Sequence, residues 1–463
     1  MRDYAAVSYW LETCGDDLMP RPALDGSTDC DVAILGGGYT GLWTAYYLLR
    51  EQPSMRVVLV ERDICGFGAS GRNGGWCAPG LNISLRRLEQ LHGFDAARNT
   101  YAAVDEAVDE TGRVAQAEGL DIEWRRGGEL IIARGAHETP QVEAAFGELE
   151  RFGFGERYAL LDAAALRRRV RVAEATGALY SPHAAVLQPA RLARGLARTV
   201  ERLGATIYEG TEVTDFRPRA AGRPATLVTP AGDVRAEAIV LAGEAYLTRL
   251  RRLHRALLPI WSLIVLTEPL SDAAWDEIGW GGHELIGSPR FTVVYLSRTQ
   301  DGRLLLGGRG APYRFGSPIR DEYDRHDPTH SLLRQAAIEW FPQLRDVRFT
   351  HAWGGPLGMP RDWHPTISFD AQSGIASARG YVGHGVATAN LAGRTLAELI
   401  VGRQTERTQL PLVNHRSRNW EPEPLRWLGV RFTQAALTRV DRLAEQSGRP
   451  PRGRSLEEWL ARH

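Results

Sequence analysis

Two short apolar runs flank a glycine-rich turn and a helical stretch near the start of the chain. The first run covers residues 32–35 and the second covers residues 57–60. Between them, Gly36, Gly38 and Gly41 form a G-x-G-x-x-G motif that opens a stretch of helical periodicity. Because the motif follows a strand and precedes a helix and a second strand, it predicts a βαβ unit that binds a dinucleotide.

Each residue type in this unit has a separate physical role. Gly36 permits the tight turn, Gly38 lets the backbone approach a pyrophosphate, and Gly41 lets the helix pack closely on the strand. The helix N-terminus supplies N–H groups and its positive dipole end to the phosphates. Glu61 lies 20 residues after Gly41 and can accept from adenosine ribose hydroxyls, whereas it would repel the 2′-phosphate of NADP. A buried βαβ unit without a ligand is the alternative.

Periodicity along the rest of the chain predicts further helices and strands. It favours helices over residues 82–118, 138–152, 162–170, 190–203, 328–341, 388–400 and 424–445, and strands over residues 205–208, 238–242 and 347–353 and within 256–310. The segment 121–134 is typical of a hairpin that turns at Gly127 and Gly128. Nucleotide-type signals occur early, near 205–245 and near 380–400, which favours a dinucleotide domain interrupted by a second domain.

Composition and charge narrow the class of protein. The chain has 463 residues, 43% of them hydrophobic and 24% charged, which suits two intertwined globular domains. Its 56 basic and 56 acidic residues balance, so nothing favours a nucleic acid or an anionic membrane as a partner. The first residues show no apolar signal region and no run reaches membrane-spanning length, so we expect a cytoplasmic protein.

Two residue types limit the chemistry. The chain contains no lysine, which excludes Schiff-base chemistry and a lysine general base. Its four cysteines are Cys14, Cys30, Cys65 and Cys77. Their spacing fits neither a zinc site nor a redox pair, so we expect free thiols and no bound metal. His364 and His384 have no ligand-like partners close in sequence, and we expect each to be a pocket or core residue.

A second glycine-rich loop, GFGASGRNGG at residues 66–75, follows Glu61 closely. It leaves the carboxyl end of a strand, beside the expected ligand crevice of a doubly wound sheet. Its backbone N–H groups can converge on an anion. Ser70, Arg72 and Asn73 add a hydroxyl, a guanidinium and an amide.

Four segments together resemble one known family. The G-x-G-x-x-G unit, the GASGRNGG loop, AIVLAGEAY at residues 238–246 and GYVGHGV at residues 380–386 resemble the D-amino-acid oxidase-like family of FAD-dependent oxidoreductases. The resemblance covers about residues 28–402. The loop and the TEP segment at residues 267–269 are most similar to the gamma-glutamylputrescine oxidase group of that family.

The resemblance implies an α/β protein with a doubly wound, Rossmann-like FAD-binding domain and an interleaved antiparallel-sheet substrate domain. The implied FAD-binding domain is discontinuous and comprises residues 1–85, 180–250 and 351–410. The implied substrate domain comprises residues 86–179 and 251–350, and a helical tail follows over residues 411–463.

The resemblance also implies that three remote pieces of chain hold FAD noncovalently. The implied cofactor contacts are Gly36, Gly38, Tyr39, Thr40, Gly41, Glu61, Arg62, Ala69, Ser70, Arg72, Asn73, Gly74, Gly75, Val213, Ala242, Gly243, Gly355, Gly383, His384, Gly385, Val386, Ala387 and Thr388. The residues implied on the reactive side are Arg72, Arg309, His384, Trp261 and Tyr295, with Trp353 as a further pocket wall. Each of these aromatic residues is equally compatible with a core position.

Two arginines have open roles. Arg309 falls where sarcosine oxidase has an active-site histidine, and it either acts on a substrate anion or the flavin, or forms a structural ion pair. Arg290 either clamps a carboxylate or phosphonate or is a solvated surface residue.

Three positions depart from the family pattern. Two family lysines, one associated with oxygen activation, correspond to Leu305 and Ala387. The cysteine that links flavin covalently in monomeric sarcosine oxidase corresponds to Gly355. We therefore expect noncovalent FAD, and fast reaction with oxygen does not follow from the resemblance alone.

The expected reaction is oxidation of a C–N bond in a small amine or amino acid to an imine, with reduction of O2 to H2O2. A dehydrogenase that passes electrons to a carrier is the first alternative, since both family lysines are missing. A non-catalytic FAD-binding protein and an NAD-dependent enzyme are weaker alternatives. The sequence predicts neither the particular substrate nor the oligomeric state.

Overall fold

The structure is a computed structural model that describes residues 2–220, 222–309 and 312–451, without the side chain of Arg309. Its strands are β1 (Thr28–Leu35), β2 (Val57–Val60), β3 (Trp76–Cys77), β4 (Glu129–Arg134), β5 (Ala159–Asp162), β6 (Ala175–Ser181), β7 (Ala185–Val186), β8 (Thr206–Tyr208), β9 (Asp215–Arg217), β10 (Ala225–Thr229), β11 (Gly232–Leu241), β12 (Leu258–Thr267), β13 (Leu285–Gly287), β14 (Val294–Arg298), β15 (Leu304–Arg309), β16 (Phe349–Met359), β17 (Thr366–Asp370) and β18 (Ile375–Arg379). Its α-helices are α1 (Tyr9–Glu12), α2 (Tyr39–Glu51), α3 (Leu85–His92), α4 (Phe94–Ala117), α5 (Thr139–Arg151), α6 (Ala163–Arg167), α7 (Pro189–Arg202), α8 (Asp272–Ile278), α9 (Asp327–Trp340), α10 (Gly385–Ile400) and α11 (Leu425–Ser447).

The first sheet is mainly parallel and contains both apolar runs of the βαβ unit. Its order is β17-β18-β11-β1-β2-β8, and the antiparallel pair β9–β10 joins it at β11. β1 pairs in parallel with β2 and with β11, so Val32 lies opposite Val57 on one side and Ala238 on the other. The two runs become central strands because their residues are apolar on both faces, as parallel strands require.

Different layers cover the two faces of this sheet. Val32 and Ile34 of β1 pack into a cluster with α2, α4, α7 and α10. Ala33 points the other way, into a cluster that includes β10. α2 and α10 lie in close contact, because a Cβ on Gly393 would come within 2.5 Å of the Trp43 Cβ. The prediction of an α/β fold is confirmed by this architecture, in which strands rather than helices cover the second face.

The second sheet is almost entirely antiparallel. Its order is β16-β12-β15-β14-β13-β4-β6-β5, and only β13 and β4 run parallel. The predicted domain boundary at residue 351 falls inside β16, which pairs with β12 along its length. Residues 351–359 therefore belong to this sheet, because the apolar positions of β16 match those of β12 rather than any strand of the first sheet.

The predicted hairpin over residues 121–134 is wrong. Only β4 forms a strand there, and it pairs with β6 and β13. Gly128 does not close a local turn, because a Cβ on it would lie 2.4 Å from the carbonyl oxygen of Ser181. The two glycines allow backbone from distant parts of the chain to approach closely. In the sequence, glycines with this role cannot be distinguished from glycines that form a tight turn.

The four cysteines are free thiols and all are buried. Burial raises the pKa of the Cys30 thiol and that of the Cys77 thiol to about 12. Burial also raises the pKa values of Cys14 and Cys65. Among the helices of residues 2–220, 222–309 and 312–451, none combines the length and apolar character needed to cross a bilayer.

Candidate cofactor and active site

A large cleft opens at the carboxyl ends of β1, β2 and β11, with an empty volume of about 1290 Å³. Fifteen of the residues proposed from the sequence line it: Gly36, Gly38, Tyr39, Thr40, Glu61, Arg62, Ala69, Ser70, Asn73, Val213, Ala242, Gly243, Gly383, Gly385 and Val386. The cleft lies where ligands bind in open parallel sheets.

The turn at the end of β1 depends on two glycines. Gly36 has φ of 107°, and a Cβ there would lie 2.8 Å from the carbonyl oxygen of Ala242. A Cβ on Gly41 would lie 2.0 Å from the carbonyl oxygen of Gly36. Side chains at these positions would separate α2 from the turn, so the glycines bring the helix N-terminus to the mouth of the cleft.

Two helix N-termini border the cleft, from opposite ends of the chain. α2 begins after Gly38 and α10 begins after His384, and neither of these two N-cap residues caps its own helix with a side chain. Tyr39 N–H donates to Ser70 Oγ at 2.9 Å, which joins the second glycine-rich loop to the start of α2. Helix N-termini favour negative charge, so the cleft has two positions suited to anionic parts of a ligand.

Glu61 is held at the end of β2 by backbone donors. Gly37 N–H donates to its Oε2 at 2.7 Å and Asp63 N–H donates to its Oε1 at 2.9 Å. Burial nevertheless raises the pKa of Glu61 to about 7, because desolvation outweighs the stabilisation that these two N–H groups give the carboxylate. The carboxyl group lines the cleft, where it can accept from ligand hydroxyls.

The pH dependence of FAD affinity is expected to report on Glu61. A carboxylate accepts from hydroxyls and a carboxylic acid does so poorly, so FAD binding favours the ionised form and lowers its pKa. Affinity is therefore expected to rise as pH increases through about 7 and then to level off. Flavin fluorescence titration of apoprotein between pH 5.5 and 8.5 measures this.

Two variants separate Glu61 from other groups in that titration. Glu61→Gln is expected to bind FAD more weakly above neutrality and to show a flat profile over the same pH range. Glu212→Gln alters another carboxyl group that lines the cleft and is expected to keep the wild-type profile. An unchanged profile in Glu61→Gln would contradict the role given to this residue.

Arg72 lies buried behind the wall of the cleft. Its Nε donates to the Phe67 carbonyl oxygen at 2.7 Å, and its guanidinium lies over the Phe67 ring, 4.3 Å from the centroid. Its Nη1 pairs with Asp324. Burial raises the pKa of Asp324 to about 6 even though Arg72 acts in the opposite direction. Phe67 lines the cleft, so Arg72 places a fixed positive charge one side chain away from the ligand space.

The aromatic candidates surround this ion pair or lie beside it. Trp261 Nε1–H donates to Asp324 at 2.9 Å, and Trp353 Nε1–H donates to the Arg72 carbonyl oxygen at 2.9 Å. Tyr295 makes a 2.9 Å hydrogen bond with Ser262 Oγ. The ring of Tyr295 packs over Gly74 and Gly307, where a Cβ would come within 2.5 and 2.2 Å of it. Trp261 and Trp353 thus position the Arg72 pair.

The remaining candidates whose side chains are described lie off the cleft surface. Gly75 has φ of 77° and packs against Leu187, while Ala387 and Thr388 are buried in the first turn of α10. The side chain of Arg309 lies outside the described residues, although its backbone pairs with Ser262. Arg290 pairs with Glu138 and Glu445. The clamp proposed for Arg290 is therefore wrong, because both partners are acidic side chains of the protein itself.

Several residues of this site were not proposed from the sequence, and Asp324, Glu244 and Tyr246 are three of them. Asp324 lies in no motif, and its pairing with Arg72 joins positions 252 residues apart. Glu244 and Tyr246 line the cleft and stand in the AIVLAGEAY segment, so the motif contained them without distinguishing them from strand residues. Glu244 accepts from Gly380 N–H at 3.0 Å and thereby connects two walls of the cleft.

The residues present fit FAD. A Cβ on Gly38 would lie 3.0 Å from Ser70 Oγ, so glycine there keeps the cradle at the start of α2 open. Arg72 Nη2 is buried and has no hydrogen-bond partner among the described residues. Buried polar atoms without partners are rare in proteins and point to a group that binds there.

Comparison with known proteins agrees with this geometry. The chain is 32% identical over 399 residues to gamma-glutamylputrescine oxidoreductase of Escherichia coli, covering 86% of this chain and 89% of that protein. It is 31% identical over 401 residues to the probable oxidoreductase OrdL of Rhizobium meliloti, covering 86% and 89%. Its fold matches glycine oxidase of Geobacillus kaustophilus with a TM-score of 0.68 and 23% identity, covering 84% and 99%.

A family model matches most of the chain. The model described as DAO, FAD dependent oxidoreductase, covers residues 31–399. That span begins in β1 and ends in α10, so it includes both helix N-termini and the second sheet. The expectations of an FAD cofactor and of an oxidoreductase are confirmed, and the chain belongs to the DAO family of FAD dependent oxidoreductases.

Proposed function

We propose that this FAD-dependent oxidoreductase of amines or amino acids passes the electrons of its substrate to O2. The C–N bond of the substrate becomes a C=N bond, and two electrons and two protons convert O2 to H2O2. Water then hydrolyses the imine to a carbonyl product and ammonia or an amine. The substrate proposed for first trial is gamma-glutamylputrescine, which the name of a relative supplies.

The observation that carries the proposal is the buried guanidinium of Arg72. O2 develops negative charge as it accepts electrons, and a fixed positive charge in a water-poor site stabilises that charge. Arg72 is 3% exposed and cannot lose its proton. The chain has no lysine, and Leu305, at the position of a family lysine, is buried in an apolar cluster with Trp353. Arg72 therefore replaces the missing cation.

FAD, when bound, supplies the hydride-accepting chemistry. The residues of this chain bind and orient it: the N-terminus of α2 would hold the pyrophosphate, Glu61 the adenosine ribose, and the N-terminus of α10 the pyrimidine edge of the flavin. Gly355 lies against Arg72, with a built Cβ 3.3 Å from its Cδ. Glycine there offers no side chain for a bond to flavin, which supports noncovalent FAD.

Transfer to an electron carrier is the second candidate. The apolar surroundings of Leu305 favour it, because a buried leucine supplies no charge to activate O2. The two candidates differ in whether O2 is consumed, and not in how the amine is oxidised.

A stoichiometric measurement separates them. With holoenzyme and gamma-glutamylputrescine, sarcosine or glycine in air-saturated buffer, we expect O2 uptake with one H2O2 formed per amine consumed. Addition of an artificial electron acceptor is expected to change the rate little. Amine oxidation that needs the acceptor, with the flavin staying reduced for minutes in air, would show the carrier reaction instead.

A further inference from the structure

Three histidines from distant parts of the chain meet at the surface behind the cleft. His92 ends α3, His364 lies between β16 and β17, and His415 lies between α10 and α11. Their ligand atoms all lie within 4.8 Å of one another. The rings of His364 and His415 stack with centroids 3.7 Å apart, and the ring of His92 meets that of His364 edge-on at 5.6 Å.

Hydrogen bonds leave one nitrogen on each of two rings for another partner. His364 Nδ1 bonds to the Pro365 carbonyl oxygen at 2.7 Å, which assigns the proton to Nδ1. His364 is 1% exposed, yet its Nε2 has no partner among the described residues. His415 Nε2 bonds to Asp362 Oδ2 at 2.8 Å, so the lone pair of this ring lies on Nδ1.

Asp362 is itself held in place. Ser417 Oγ–H donates to its Oδ1 at 2.7 Å, and His364 N–H donates to the same oxygen at 3.2 Å. A carboxylate that orients a histidine, which in turn presents its other nitrogen, is the usual outer partner of a metal ligand. The carbonyl oxygen of Pro365 plays the same part for His364.

We propose that His92, His364 and His415 bind one divalent transition-metal ion of the zinc type, with a water at its fourth position. Three neutral imidazoles are typical ligands of Zn²⁺, Co²⁺ and Ni²⁺, whereas Mg²⁺ and Ca²⁺ prefer oxygen ligands. From sequence spacing we expected no bound metal. The site proposed here instead consists of histidines that are distant in sequence and that the fold brings together.

The three histidine side chains must move slightly closer together to coordinate one ion. Nitrogen ligands at about 2.0–2.1 Å from a tetrahedral ion lie about 3.3 Å apart, and the ligand atoms here lie within 4.8 Å of one another. His92 is exposed at a helix end and His415 is half-buried, so both can move while His364 stays fixed.

An ion at this position ties three chain segments together. α3, the loop before β17 and the segment before α11 have no covalent link near the site. Asn82, just before α3, donates to the Tyr381 carbonyl oxygen at 3.2 Å, and Tyr381 lines the FAD cleft. The ion is thus structural, and it fastens the C-terminal segment to the end of the molecule that carries the N-terminus of α10.

The experiment uses full-length, untagged holoenzyme stripped with a chelator and then dialysed against Zn²⁺ alone. We expect one Zn²⁺ per chain by elemental analysis, and a Tm higher by about 3 °C at a hundredfold excess over Kd. Co²⁺ in its place is expected to give the strong visible absorption of a tetrahedral nitrogen site. Failure to retain a stoichiometric ion would overturn the proposal.

Variants locate the ion. His92→Ala removes an exposed ligand with little effect on folding and is expected to weaken Zn²⁺ binding at least tenfold, as is His415→Ala. Asp362→Asn keeps all three ligands and is expected to weaken binding about tenfold through the loss of the outer partner. His351→Ala is the matched control, because His351 pairs with Glu12 outside the cluster. Equal Zn²⁺ affinity in wild type, His92→Ala and His415→Ala would overturn the site.

Discussion

Gly36→Ala is expected to lose bound FAD and to destabilise the fold. Alanine at φ of 107° is strained, which costs roughly 1–3 kcal/mol. The new Cβ would also lie 2.8 Å from the Ala242 carbonyl oxygen, and overpacking against backbone adds about 1–3 kcal/mol. Relief of the contact moves β1 away from β11 at the mouth of the cleft. Flavin content per chain and the free energy of unfolding in urea measure both effects.

Gly204→Ala provides the matched control. Gly204 has φ of 108°, nearly the same as Gly36, but a Cβ there would meet nothing within 4 Å. This variant therefore carries the backbone strain without the contact, and we expect it to lose about 1–3 kcal/mol while it keeps its FAD. Equal flavin loss in the two variants would mean that strain alone, and not the contact with β11, governs cofactor binding.

Arg72→Met is expected to have the second large effect. It leaves Asp324 buried without its partner, and breaking a buried ion pair in this way costs about 3–5 kcal/mol. It also removes the positive charge proposed to stabilise reduced oxygen, a loss of about 10²–10³ in rate for groups of this kind. Urea unfolding measures the first effect, and stopped-flow mixing of the reduced holoenzyme with O2 measures the second.

Three further variants test the assignment of these two effects. Arg56→Met breaks an exposed pair with Asp31 and is expected to cost less than about 1 kcal/mol. Arg72→Met combined with Asp324→Leu removes both charges and is expected to regain much of the stability but none of the oxygen reactivity. Arg72→Lys keeps a positive charge and is expected to keep most of that reactivity. Recovery of the oxygen rate in the double variant would contradict the electrostatic role of Arg72.

Local patterns predicted local structure well. The apolar runs 32–35 and 57–60 became β1 and β2, and the helices expected over 190–203 and 424–445 became α7 and α11 within a few residues. The two strands are apolar on both faces and the two helices on one face, so the periodicity of apolar residues is enough to identify them. The helix expected over 82–118 divides into α3 and α4, because Gly93 adopts φ of 90° between them.

Contacts between residues far apart in the chain could not be predicted from the sequence, because no sequence spacing indicates which of these residues meet. Asp324 meets Arg72 only when the second sheet closes over the second glycine-rich loop. The histidine cluster brings together positions 92, 364 and 415, none of which has a ligand-like neighbour in sequence. The domain boundary predicted at residue 351 falls inside β16, which pairs with β12, and strand pairing rather than composition decides which sheet a strand joins.

The buried thiols have a consequence if the enzyme releases H2O2, as we propose. Peroxide oxidises thiolates rather than thiols, and burial holds the thiol pKa values of Cys30 and Cys77 at about 12. Cys65 lies against Gly37 beside the cleft, yet its thiol is fully buried and its pKa is also raised. The cysteines of the folded protein are therefore expected to resist the peroxide of the proposed reaction, and their oxidation is expected to begin only when the chain opens.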